Sequence, residues 1–219
     1  MGTDWRQMME GKQLDISKCF TDALEVYKVN VLMLLLSVLL FQVISLFTLL
    51  ILAGPLFGGY CLMTMNAMRR EDKKIELNDM FKMFTKFWPL VGLFFLQGLA
   101  VFTGLLLLII PGVILMTLWL YTYFIMVDQD KGVIDSMKAS WKLVSGKGFW
   151  MNLALAAIYI LLSGISGQIP VIGWVVSLFV VPFAILLITS GFLQQVSQAE
   201  VVTSEDRPFA DANEEEKQV

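Results

Sequence analysis

Histidine is absent from the chain, and with it the commonest general base and neutral metal ligand. Only two cysteines occur, Cys19 and Cys61. They are too few for a disulfide framework and give no sign of an oxidising compartment. Charge is missing in whole blocks: no Asp, Glu, Lys or Arg stands between Val29 and Met68, between Phe87 and Val127, or between Gly148 and Ala199. Ionisable groups inside a membrane are the usual signature of proton relays, ion coupling and voltage sensing, so their absence argues against a proton-driven pump. Walker spacing is absent too: "RREDKK" and "GKGFW" carry basic residues and glycine without the phosphate-cradling pattern. Strict alternation of apolar and polar residues is nowhere sustained, which excludes a β-barrel with a polar lumen.

What remains is apolar. Residues of that kind make up 57% of the 219, charged ones 16%, and the mean hydropathy is +0.72. Each uncharged block far exceeds the roughly 20 residues that cross a bilayer once. Backbone groups in lipid must be satisfied within the chain, so the predicted fold is all-α and integral to a membrane. Ahead of Lys28 the mixed-charge N-terminus and the length of the first block do not fit a cleavable signal, and that block is expected to stay as an anchor.

Each block contains one break signal: Ala53-Gly54-Pro55, Ile110-Pro111-Gly112, and Gly167-Gln168-Ile169-Pro170. Proline lacks the donor that helix continuation needs. Gly54, Pro55, Pro111, Gly112 and Pro170 are therefore expected in hairpin turns, giving six transmembrane helices at about 29–53, 56–70, 88–110, 112–127, 148–167 and 170–196. Pro182 is expected to kink the sixth. None of the sixteen Lys and Arg residues falls in the three turns. They flank the blocks instead, which puts both termini and both charged loops on the cytoplasmic side.

A short amphipathic pattern precedes each block. Leu77, Phe81, Phe84 and Trp88 follow i, i+4, i+7, i+11, with Asp79, Lys82 and Lys86 on the other face. Ile16, Phe20, Ala23 and Tyr27 repeat the spacing before the first block; Val133, Met137, Ser140 and Val144, with Trp141 alongside, repeat it before the third. These segments are expected to lie in the membrane interface, apolar side down. The chain thus reads as three parallel repeats of interfacial helix, helix, turn, helix. The boundaries are 14–70, 76–127 and 132–196 within a membrane domain at 14–199. A cytoplasmic segment (1–13) precedes it and a disordered acidic cytoplasmic tail (200–219) follows.

The stretch "IIPGVILMTLWLYTYFIMVDQDKGVIDSMKASWKLVSGKGFW" resembles a broad group of poorly characterised bacterial polytopic membrane proteins. It is also similar to the membrane region attached to some glycerophosphodiester phosphodiesterases. The likeness covers most of residues 14–195. It rests on Phe20, Ala23, Tyr27 and Asn30, on Pro111-Gly112, and on Asp128, Gly132, Ser136, Ser140, Trp141, Gly146 and Trp150. The resemblance implies a bacterial cytoplasmic (inner) membrane and carries no activity, since the phosphodiesterase chemistry of those relatives belongs to a separate soluble barrel.

Candidate chemistry is sparse. Asp128 and Asp130 in "VDQDKG" are spaced for a divalent ion with a substrate phosphate; the more economical reading is that one of them opens the following helix as a cap or dipole partner. Cys61, Met65 and Met68 share a helical face and suit Cu(I), yet methionine is an ordinary filler of apolar helices. No catalytic, cofactor or metal residues are assigned. Gln42, Asn66, Gln97, Asn152, Ser163 and Gln168 either line a path or bond between helices, the commoner role. The expected function is a non-enzymatic scaffold, accessory subunit or lipid-organising module. The alternative is a channel or uncoupled carrier for a neutral or lipid-like solute. Membrane lipids are the expected partners, with a protein partner or second copy, and no nucleic acid.

Overall fold

The structure is a computed structural model that describes residues 14–47, 51–145, 148–167 and 172–205; the expected turn residue Pro170, the segment 1–13 and residues 206–219 lie outside these. All regular structure among the described residues is helical. In chain order the helices are α1 (Ile16–Phe47), α2 (Ala53–Arg69), α3 (Asn78–Lys82), a 3-10 turn (Met83–Lys86), α4 (Phe87–Leu107), α5 (Ile109–Leu118), α6 (Thr122–Asp128), α7 (Val133–Val144), α8 (Phe149–Gly167) and α9 (Ile172–Glu205).

Four stretches are long and apolar enough to cross a membrane: Ile16–Ile44, Asn78–Leu107 (uncharged from Phe87 on), Ile110–Asp128 and Val175–Ser197; α7 and α8, bent by 112°, make a fifth if counted as one. Sequence had pointed to six. The shortfall includes α2, whose 17 residues rise roughly 25 Å at 1.5 Å each, less than a hydrocarbon core of about 30 Å.

The expected interfacial segment and first span form one helix, α1, kinked at Asn30 (φ −122°, ψ 20°). Pro55 and Pro111 do not occupy the turns. Pro55 sits in the first turn of α2 and Pro111 in the first turn of α5, where the backbone N–H has no intrahelical partner and its loss is harmless. Gly54 and Gly112 lie inside the same first turns. The turn between α4 and α5 is Leu108, with extended backbone (φ −159°, ψ 136°). The two helices fold back tightly there: a Cβ on Gly112 would meet Leu105 N at 2.7 Å, and one on Gly104 would meet Gly112 Cα at 3.0 Å. Farther along, Gln97 Nε2 donates to Trp119 O at 3.2 Å, so α4 and α5 run antiparallel.

The fourth expected span is broken at 119–121, between α5 and α6. A broken helix leaves backbone groups that lipid cannot satisfy. Side chains from neighbours satisfy them here: besides Gln97, Ser140 Oγ of α7 donates to Leu118 O at 2.8 Å and accepts Tyr121 N–H at 3.3 Å.

α9 continues through Pro182 and past the expected domain end. Proline disrupts the bonding of the preceding turn, and Tyr27 Oη donates to Phe179 O in that turn at 3.2 Å. The Phe183 ring, next to the proline, packs edge-on to Tyr27 and tilted on Phe20, with centroids 5.8 and 5.9 Å away. α9 is thereby fastened to α1. The core draws on α1, α2, α6 and α9, with Leu34, Leu56, Tyr60, Phe124, Leu186 and Phe192 buried. α4 instead turns Phe95, Leu99, Phe102 and Leu106 outward, the surface of a helix facing hydrocarbon.

Candidate functional site

Charged residues gather around α1 up to Lys28, from Arg69 to Lys86 and from Asp128 to Lys142, and the last two groups form a belt. Asp79 is the centre of this belt. Its carboxylate is fully buried and accepts from Asn66 Nδ2 at 2.9 Å and from Lys82 Nζ at 2.5 Å, with Arg70 Nη2 at 3.5 Å. Burial pushes the carboxyl upward, but the Asn66 amide, Lys82 and Arg70 together outweigh it and hold Asp79 below its ordinary value. Close backbone packing seats it: a Cβ on Gly59 of α2 would fall 1.8 Å from Met80 O.

Other pairs extend the belt. Arg70 also reaches Glu76 at 2.8 Å. Arg69 grips Asp128 with both terminal nitrogens, at 2.6 and 3.0 Å, and Lys86 reaches Asp130 at 2.5 Å. Asn30, at the α1 kink, clasps the loop as a strand would: Nδ2 donates to Lys73 O at 2.6 Å and Oδ1 accepts Ile75 N–H at 2.9 Å. Lys73 takes a positive φ of 53°, and its Nζ donates to Met68 O at 3.2 Å, at the end of α2.

A second polar group ties α9 to its neighbours. Ser190 Oγ donates to Asp22 Oδ2 at 2.8 Å, and Asp15 N–H donates to Gln194 Oε1 at 3.1 Å. Beside them Tyr121 Oη and Gln195 Nε2 both donate to Asn152 Oδ1, each at 2.7 Å. α2, α5 and α9 thus each bond a segment that carries the amphipathic pattern. Asn66 meets Asp79, Leu118 meets Ser140, and Ser190 and Gln194 return to Asp22 and Asp15.

The sequence-predicted residues fall into three environments. Phe20, Tyr27, Leu77, Phe84 and Val133 are partly buried against the core, and Ile16 is half-buried. Met137 and Val144 are buried, so the face of α7 read as lipid-facing rests on protein. Phe81, Trp88 and Trp141 stay exposed. The Leu77–Trp88 segment is not a continuous α-helix. Its 3-10 turn has three residues per turn, which aligns positions three apart. Phe81, Phe84 and Phe87 stack with centroids 6.1 and 6.5 Å apart, and Trp88 meets Phe87 edge-on.

Neither acid of "VDQDKG" caps α7. The cap residue is Gly132, while Asp128 and Asp130 are each taken by a different cation. Cys61 and Met65 are fully buried in the apolar core, with Met68 at its margin. Of the polar candidates in the spans, Gln42 donates to Ser177 Oγ at 3.0 Å, while Asn66, Gln97 and Asn152 bond the separate partners described above; Gln168 lies outside the described residues. Asn30 and Ser140 matter most among residues whose bonding roles the sequence did not disclose, since their partners are backbone groups far along the chain. No protein-family model matches the chain, and neither the curated proteins nor the solved structures contain a match.

Proposed function

We propose that the chain is a non-enzymatic membrane protein of the bacterial cytoplasmic membrane, crossing it six times as three hairpins with both termini cytoplasmic. It acts as a scaffold, accessory subunit or lipid-organising module, a reading supported by the lack of a catalytic constellation in the sequence and by its three amphipathic segments. α2 and α8 supply the additional crossings. The cyclic bonding of each returning helix to the next amphipathic segment supports the threefold arrangement.

The carrying observation is the disposal of the polar and charged groups. Asp79, Asp128 and Asp130 are held by Arg and Lys side chains of the same belt, which is how structural carboxylates are used, and the uncharged blocks add no Asp, Glu, Lys, Arg or His. Gln42, Asn66, Gln97 and Asn152 bond four different partners rather than converging, which favours the scaffold over a carrier with a polar path. The test is a substitution series scored against the phenotype of the deletion: alanine at Asp128, Asp130, Asp135 and Glu25, and asparagine at Asp79. Every variant that inserts at normal levels is expected to retain function. Complete loss in one inserted variant would mean a chemical site, because removing a catalytic acid or base costs about a hundred- to ten-thousandfold.

A further inference from the structure

α7 has two apolar faces. The one carrying Met137, Ser140 and Val144 is buried against the protein. The other carries Ile134 and Trp141, 52% and 45% exposed, with Lys138 between them at helical spacing. Two further exposed residues flank the helix in sequence: Lys131 just ahead of it, and Trp150, 75% exposed, in the first turn of α8. The bend of 112° sets α7 nearly at a right angle to α8. If α8 crosses a bilayer, α7 lies along its surface.

Most basic residues of the first loop are paired, although Lys73 and Lys74 there make no ion pair among the described residues. Arg69, Arg70, Lys82 and Lys86 are committed to Asp128, Glu76, Asp79 and Asp130. Lys131 and Lys138 make no ion pair among the described residues. Two acids lie nearby on the outer surface: Asp130, paired with Lys86, and Asp135, in the first turn of α7, where it complements the positive end of the helix. Tryptophan favours the headgroup level of a bilayer, and lysines beside it attract anionic headgroups.

We infer that the outward face of α7, through Lys131, Ile134, Lys138 and Trp141, is a docking surface for anionic phospholipid. The inference rests on the membrane reading above and names the lipid class that a lipid-organising module would gather. A phosphate oxygen accepts from the lysine ammonium groups while the acyl region lies against Ile134, Trp141 and Trp150.

The test reconstitutes the full chain into nanodiscs made of phosphatidylcholine with a minority of phosphatidylglycerol. Retained lipids are then counted by native mass spectrometry after mild-detergent release. The wild type is expected to retain phosphatidylglycerol above its share of the mixture. Lys131→Gln with Lys138→Gln should lower that enrichment by about fivefold per lysine, whereas Lys131→Arg with Lys138→Arg should preserve it. An unchanged enrichment in the glutamine pair would overturn the site while leaving the membrane reading intact. Failure of the wild type to enter bilayers would overturn both.

Discussion

Asn30 and Asp79 show how single polar side chains hold this apolar chain in register. Asn30→Ala strands Ile75 N–H and Lys73 O at once, and an unpaired buried backbone group costs about 1–3 kcal/mol. A fall in the thermal midpoint in detergent is expected, larger than that for Lys74→Gln at the exposed rim of the same loop. For Asp79 the sign is fixed by its lowered pKa. Its contribution is present above the unfolded carboxyl value and is lost as pH falls through the lower folded value. Wild-type stability should therefore decline at acid pH through this group, below the ordinary value of 3.8, and Asp79→Asn should be less stable at neutral pH but flatter across the acid range. Identical acid limbs for the two proteins would contradict the assignment. Neither role was legible in the sequence. Asn30 stood out only through the resemblance, and nothing local announces a partner at Lys73 or Ile75. Lys82 read as a plain surface charge, though it neutralises a carboxylate with no exposure.

At the scale of elements, helices were legible because uncharged blocks and proline-glycine breaks are strong signals; the details depended on what each helix packs against. Apolar residues at helical spacing say that a face is buried, and protein and lipid bury it equally well. That ambiguity explains why Met137 and Val144 of α7 turn inward while Trp141 stays outside. Pro55 and Pro111 mark the vicinity of the turns but stand just inside the helices that follow, where the missing donor costs nothing. The break at 119–121 had no signature at all, since the groups that make it tolerable come from α4 and α7. Ser140→Ala should expose the dependence. With Leu118 O and Tyr121 N–H losing their partner, a loss of about 1–3 kcal/mol is expected, read as a lowered thermal midpoint. Ser140→Thr keeps the hydroxyl and should lose less through hydrogen bonding, so an equal loss in both would locate the cause in packing instead.

For the whole molecule, the central claim is that three hairpins enter the bilayer from one side and keep the charged belt on that side. Long uncharged blocks made membrane insertion legible from sequence, whereas α2 and the α7–α8 bend leave the number of crossings between four and six. Accessibility measures it directly. With Cys19 and Cys61, both buried, replaced, single cysteines go to Ile51 and Leu108 between helices, to Gln168 where the sequence alone points to a third turn, and to Lys74 and Lys131 in the belt. Gly54 and Gly112 are avoided, because a Cβ there would meet Leu90 O at 2.4 Å and Leu105 N at 2.7 Å. An impermeant maleimide applied to intact cells should label Ile51→Cys, Leu108→Cys and Gln168→Cys, and should reach Lys74→Cys and Lys131→Cys only after the membrane is opened. Labelling of Lys74→Cys or Lys131→Cys from outside, or protection of any turn position that labels once the membrane is dissolved, would contradict the three-hairpin arrangement.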